Sequence, residues 1–155
     1  MITREPRQQD ADWIAKLLAE RWGGTTIVAH GEVFDLLSLP ALVAEPDQGL
    51  ATYRLRGDDA ELMSLDAVCP GQGVGTVLIE ALADMLRRRG ICDLWVMTTN
   101  DNLTALRFYQ RRGFELRRIR PGAVDEARLL KPSIPKIGDD GIPIRDEIDL
   151  CRRLL

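Results

Sequence analysis

The chain has 155 residues, 21 Lys and Arg against 24 Asp and Glu, and a hydrophobic content of 45%, the make-up of one globular domain spanning 1–155. A disordered chain, a collagen-like repeat and a disulfide-dependent mini-protein are excluded, and no apolar run approaches the ~18 residues of a membrane span. The charged opening from Met1 to Trp13 carries no apolar signal core, which predicts a cytoplasmic protein with no membrane partner.

Ile2–Arg4 reads as a short first strand. Asp10–Arg21 reads as a helix, with Trp13, Leu17 and Leu18 at helical spacing, Asp10 as its cap and Gly23-Gly24 as its stop. Thr25–Leu39 fits a strand followed by a short helix. Ala41–Glu45 and Leu50–Arg56 predict a hairpin around Pro46-Asp47-Gln48-Gly49, and after a second turn at Gly57-Asp58-Asp59 comes a third strand, Ala60–Val68. A glycine-rich turn, Pro70 to Gly75, then leads into a helix running to Arg89, with Val74, Leu78, Ala81, Leu82 and Met85 on one face and Gly90 at its end. Cys92–Thr98 is a buried strand, Asn102–Arg112 a helix stopped by Gly113, and Glu115–Arg120 a strand. Val124–Leu130 is a helix ended by Pro132, and Pro143–Leu154 the last strand. Antiparallel hairpins followed by β–α–β–α–β predict an α/β (α+β) fold on a mixed sheet.

Cys69, Cys92 and Cys151 are odd in number and widely spaced, and the chain holds a single histidine. They read as reduced thiols packed as small apolar residues, with no disulfide framework and no metal site. Charge is uneven: residues 1–70 hold 6 Lys/Arg against 12 Asp/Glu, whereas residues 71–120 hold 9 against 5. The asymmetry fits solvated faces, or an anionic ligand held by the middle of the chain and a cationic one faced by its front. The acidic balance, and arginines not interleaved with aromatics, argue against a nucleic-acid partner.

Gly71, Gly73 and Gly75 lie between a strand and a helix. Glycines there permit a tight turn and close backbone approach, and the helix start offers unpaired N–H groups at the positive end of its dipole. Gln72 to Thr76 can thus cradle a pyrophosphate. A Walker loop is excluded because the turn has no lysine, and a dinucleotide fingerprint because its third glycine falls on Thr76 or on Leu78.

The run Leu65-Asp66-Ala67-Val68-Cys69-Pro70-Gly71-Gln72-Gly73-Val74-Gly75 resembles the acetyl-CoA motif of the GNAT N-acetyltransferases, Arg/Gln-x-x-Gly-x-Gly/Ala after a strand. Gly73 and Gly75 match its two small positions, and Pro70 departs from its Arg or Gln. Asn100 to Phe114 resembles the family's later segment, in which an Asn opens a helix, an aromatic-Tyr pair follows and Gly-Phe ends it; Asn102 and Tyr109 match. The resemblance spans about residues 60–120 and implies a mostly antiparallel sheet flanked by helices.

It also implies acetyl transfer from acetyl-CoA, as cosubstrate, to a primary amine of a small-molecule or peptide acceptor by direct attack in a ternary complex. The coenzyme-binding positions implied are Gln72, Gly73, Val74, Gly75 and Thr76 for the phosphates, and Leu65, Ala67, Asn102 and Tyr109 around the pantetheine arm and thioester. Asn102 suits a helix cap as well. Tyr109, protonated at neutral pH, is the acid candidate for the leaving thiolate, or else a core aromatic beside Phe108. The base is left open between Glu61 and Asp66 on the strand before the turn, where strand parity sends the two to opposite faces and puts Glu61 with Met63 and Leu65. Asp146 is a third carboxylate, on an apolar face shared with Ile142, Ile144, Ile148 and Leu150, where it either pairs with an arginine or, with Glu147, attracts an amine. His30 reads as a loop histidine near the acceptor side. Arg107, Arg111 and Arg112 flank the later helix and Arg87–Arg89 close the earlier one; most of these read as solvated surface, with one or two as candidates to touch the 3′-phosphate. The alternative is a non-catalytic acyl-CoA-binding sensor or regulatory module, and oligomeric state is open between monomer and homodimer.

Overall fold

Residues 1–155 of the computed structural model form four α-helices and nine strands. Helix α1 (Ala11–Trp22) buries Ile14, Leu17 and Leu18, the i, i+3, i+4 stripe of an amphipathic helix. It ends at Gly23, whose left-handed φ of 70° lets its N–H reach Ala19 O at 3.1 Å. Asp10 does not cap α1 with its side chain as expected. Its carboxylate instead accepts from the Arg4 guanidinium, the Arg7 N–H and Trp13 Nε1, and these bonds, Arg4 foremost, hold its pKa well below the usual carboxylate range.

Where a strand and a short helix were expected, β2 (Thr26–Ala29) and β3 (Glu32–Asp35) form a separate hairpin, followed by a 3₁₀ turn at Leu36–Ser38. Its two loop residues, His30 and Gly31, have φ of 54° and 75°; positive φ at both central positions is the mark of the primed turn that matches strand twist.

The main sheet has the order β1-β4-β5-β6-β7-β9-β8, from β1 (Thr3–Arg4), β4 (Ala41–Ala44), β5 (Gly49–Arg56), β6 (Asp59–Ala67), β7 (Asp93–Thr99), β8 (Glu115–Arg120) and β9 (Glu147–Arg153). Only β6 and β7 run parallel, and α2 (Val74–Arg88) makes the crossover between them. Helix α3 (Leu103–Gln110) joins β7 to β8 and α4 (Ala123–Leu130) follows β8. The last strand starts at Glu147 rather than Pro143; the segment before it makes only the isolated bridge Ile137–Pro143. Strand parity therefore does not reach Ile142, Ile144 or Asp146.

Helix α2 packs on one face of the sheet, over Leu42, Ala51, Tyr53, Leu62, Leu94 and Leu150. Helix α1 and the β2–β3 hairpin cover the other, over Val43, Leu50 and Met63. The β5–β6 register pairs Thr52 with Ser64 but Tyr53 with Leu62, so Met63 is an inserted residue, a β-bulge. The bulge reverses parity. Leu65 turns to the α2 side, 3.6 Å from where a Cβ on Gly75 would lie, while Glu61 and Asp66 share the α1 face. The expectation that Glu61 and Asp66 point apart, with Leu65 beside Glu61, is corrected by this one residue.

Candidate active site

Strands β6 and β7 pair only from Asp59–Leu62 against Asp93–Val96. Beyond Val96, β7 pairs with β9 alone and β6 with β5 alone, so a cleft opens at their carboxyl ends. Along it the β7-facing backbone groups of Met63–Ala67, a stretch that includes Leu65 and Ala67, have no strand partner.

One end of the cleft is the start of α2. Gly71 and Gly73 have φ of 82° and 77°, and both positions are open where a Cβ would lie. Gly73 is the left-handed N-cap, and no side chain caps the helix. The first helical bond runs from Val77 N–H to Gly73 O at 3.0 Å, which leaves the N–H groups of Val74, Gly75 and Thr76 without intrahelical partners. Gln72 and Gly73 are exposed. Gly75 lets α3 close over this start, since a Cβ there would lie 3.1 Å from Phe108. An anion fits this cradle on two counts, free N–H donors and the dipole of a 15-residue helix.

Asn102 caps α3, its Oδ1 accepting from Ala105 N–H at 3.0 Å, which leaves its amide nitrogen free toward solvent. Tyr109, on the inner side of α3, is 9% exposed and stands edge-on to Phe108 and Phe114, each at 5.4 Å between ring centres. No hydrogen bond holds its hydroxyl; burial, with the negative charge of Asp66 adding, pushes the phenol above its usual 10. The two groups thus feel each other across the cleft.

Asp66 is buried at the end of β6 and accepts from Trp22 Nε1 at 2.8 Å. Burial raises its pKa above the usual 3.8, with the Trp22 bond and the charge of Arg21 opposing. Glu61, on the same face but below the divergence, differs. Burial would raise it, but His30 Nε2 at 2.7 Å and Arg54 Nε at 2.9 Å occupy both of its oxygens and hold it below 4.5. His30 is thus no free loop histidine: the tip of the β2–β3 hairpin brings it to Glu61. The Arg54 guanidinium in turn lies 4.7 Å from the Phe34 ring centre.

The structure separates the remaining carboxylates from the cleft chemistry. Asp146 accepts from Arg145, the bond that does most to keep its pKa low, and from Gly122 N–H at 2.9 Å; it anchors the start of α4. Glu147 and Asp149 are buried and share Arg120 from β8. Of the thiols, Cys151 is buried and Cys92 half-buried, but Cys69 lies exposed in the glycine-rich turn, contrary to the expectation that all three pack.

A cavity of 410 Å³ lies beside the cleft, with Trp22, Ile27, Val28, Met97, Thr99 and Lys131 among its walls. Trp22 belongs to both places: its ring lines the cavity and its Nε1 holds Asp66. Lys131 closes the far wall by donating to Trp22 O at 2.9 Å and Thr26 O at 2.6 Å, and burial lowers its pKa. No local sequence pattern marks either residue, because their partners lie 44 and more than 100 positions away.

Residues 41–114 match the model of the Acetyltransferase (GNAT) family. The chain is 38% identical over 151 residues to the uncharacterized protein YxbD of Bacillus subtilis (strain 168), covering 95% of each. It is 36% identical over 91 residues to the streptothricin acetyltransferase of Streptomyces lavendulae, covering 56% of this chain and 48% of that one. Its fold is that of a Bacillus subtilis acetyltransferase solved in complex with CoA, with a TM-score of 0.72 at 16% identity over 99% of this chain and 98% of that one.

Proposed function

Because the chain belongs to the GNAT acetyltransferase family, we propose that it transfers the acetyl group of acetyl-CoA to a primary amine by direct attack within a ternary complex. The observation that carries this reading is the convergence on one cleft of free α2 N–H groups, a buried aspartate and a buried tyrosine with an unbonded hydroxyl. In this proposal residues 1–155 act as one catalytic domain in the cytosol, where the three free thiols stay reduced.

Acetyl-CoA supplies an activated thioester. The N–H groups of Gly73 to Thr76 hold the diphosphate at the start of α2, with Gln72 at its edge. The unpaired backbone edge of β6 at Leu65 and Ala67 aligns the pantetheine arm, and the Asn102 amide flanks it from α3. The acceptor enters through the cavity walled by Trp22, Met97 and Thr99. The Asp66 carboxylate, fixed by Trp22 Nε1, takes a proton from the entering ammonium group, and its raised pKa suits it to that task. The nitrogen bonds the carbonyl carbon, the carbon–sulfur bond breaks, and Tyr109 Oη gives its proton to the departing sulfur; the second proton of the new amide nitrogen returns to Tyr109, and Asp66 releases the first to solvent. Glu61 has both oxygens engaged and acts as a positioning residue, tying the β2–β3 hairpin to β6.

The test is a calorimetric titration with acetyl-CoA, followed by a thiol-release assay over a panel of primary amines that includes aminoglycoside-like antibiotics, polyamines and peptide N-termini. One-to-one binding near micromolar, about −8 kcal/mol, and amine-dependent thiol release are expected. Binding with no release for any amine would favour the non-catalytic sensor, and no binding by folded protein would refute the site.

A further inference from the structure

The turn from Val68 to Thr76 contains no Lys or Arg, so a diphosphate held there finds no cation in the turn itself. Two cations reach it from elsewhere: Arg21, exposed, donates to Val68 O at 3.2 Å where the turn leaves β6, and Arg112 alone reaches the start of α2. Arg112, just past the end of α3, donates from Nε to Thr76 Oγ1 at 2.8 Å and from Nη1 to Phe108 O at 2.9 Å. Its guanidinium lies 3.7 Å from the Phe108 ring centre, and Phe108 is the ring that packs on Gly75. The side chain is half-buried and fixed on three sides. It has no carboxylate partner. Glu80 feels its charge, but both Glu80 oxygens are taken by Arg152. Other half-buried arginines in the chain, Arg4, Arg54, Arg120 and Arg152, do pair with carboxylates. Of the five N–H donors of Arg112, two are used within the chain and three stay open beside the first turn of α2.

We propose that Arg112 is a further coenzyme-binding residue: it clamps the diphosphate from the α3 side while the α2 N–H groups hold it from below. The proposal rests on the acetyl-CoA reading above and adds to it which residue supplies the charge. A planar guanidinium held in place by stacking presents its donors to a phosphate with little ordering left to do, which a flexible surface lysine cannot match.

The experiment is a calorimetric titration of wild type, Arg112→Gln and Arg153→Gln with CoA and with dephospho-CoA, at 50 and 200 mM salt, with circular dichroism to verify folding. Arg112→Gln is expected to weaken CoA and dephospho-CoA alike, by roughly tenfold to a hundredfold, the range of a lost charge-assisted bond. It is also expected to flatten the salt dependence, because one screened attraction is gone. Arg153→Gln, exposed at the end of β9 beside the start of β7 and away from the cleft, is expected to bind as wild type. Unchanged affinity in a folded Arg112→Gln overturns the proposal. So does a loss confined to CoA, which would place Arg112 on the 3′-phosphate, and so does a loss with unchanged salt dependence, which would make its role structural. Failure of wild type to bind either ligand refutes the coenzyme site itself and Arg112 with it.

Discussion

Gly49→Ala tests how the fold sets the start of α2. Gly49 opens β5 and its φ is not left-handed, so alanine is acceptable to the backbone. Space is what fails: the added Cβ would lie 2.6 Å from Val74 Cγ1, 2.8 Å from Asp66 O and 3.1 Å from Leu78 Cδ1. Val74 and Leu78 are essentially unexposed, and the Asp66 oxygen is strand backbone, so none of them can yield cheaply. Overpacking of this kind costs about 1–3 kcal/mol. Replacing glycine recovers about 0.4–1 kcal/mol by restricting the unfolded chain. The net loss of about 1–2 kcal/mol corresponds to a Tm lower by roughly 2–8 °C for a chain of this size. The clash pushes Val74 from Asp66, so the same variant is expected to bind acetyl-CoA several-fold more weakly. Thermal unfolding by circular dichroism, with a calorimetric titration alongside, measures both. A Gly49→Ala protein as stable as wild type would refute the close packing of β5, β6 and α2 on which the site depends.

Glu61→Gln leaves Arg54 facing a neutral amide in a buried place and is expected to cost ~3–5 kcal/mol in denaturant unfolding. The folded pKa of Glu61 lies below 4.5, so its stabilising contribution is fully present above that value and is lost as pH falls through the folded pKa; the variant should show less acid sensitivity than wild type. Asp66 has the opposite sign. Its folded pKa lies above 3.8, so its ionisation costs stability as pH rises from there through the folded pKa. Asp66→Asn is therefore expected to be as stable as wild type or more so at pH 7, while amine acetylation falls about 10²–10⁴-fold and loses its acid limb. A destabilised or fully active Asp66→Asn would remove Asp66 from the role of base.

Much of this layout is legible in the sequence. Hydrophobic periodicity marks α1 and α2, and glycines mark the ends of α1 and α3, because burial and left-handed φ impose those residues locally. The bulge in β6 left a trace as well: polar residues fall at Glu61, then at Ser64 and Asp66, a change of phase at Leu62-Met63 that one inserted residue produces. Read with uniform alternation, the same stretch sends Glu61 and Asp66 apart. The His30-Gly31 turn is less legible, since His-Gly is not among the Asn-Gly, Asp-Gly and Gly-Gly pairs that announce a primed turn. What local patterns do not encode is pairing at a distance. Trp22 with Asp66, Lys131 with the backbone of Trp22 and Thr26, and Arg112 with Thr76 each depend on how α1, α3 and the segment after α4 meet over the sheet.

The most direct test of acetyl transfer at this cleft is the steady-state rate of Tyr109→Phe with a competent amine. Phenylalanine keeps the ring edge-on to Phe108 and Phe114 and removes only a hydroxyl that bonds nothing within the chain. Folding and acetyl-CoA affinity are therefore expected to match wild type, with kcat lower by about 10²–10⁴-fold. A variant that turns over at the wild-type rate would contradict proton donation by Tyr109 and with it the chemistry assigned to the cleft.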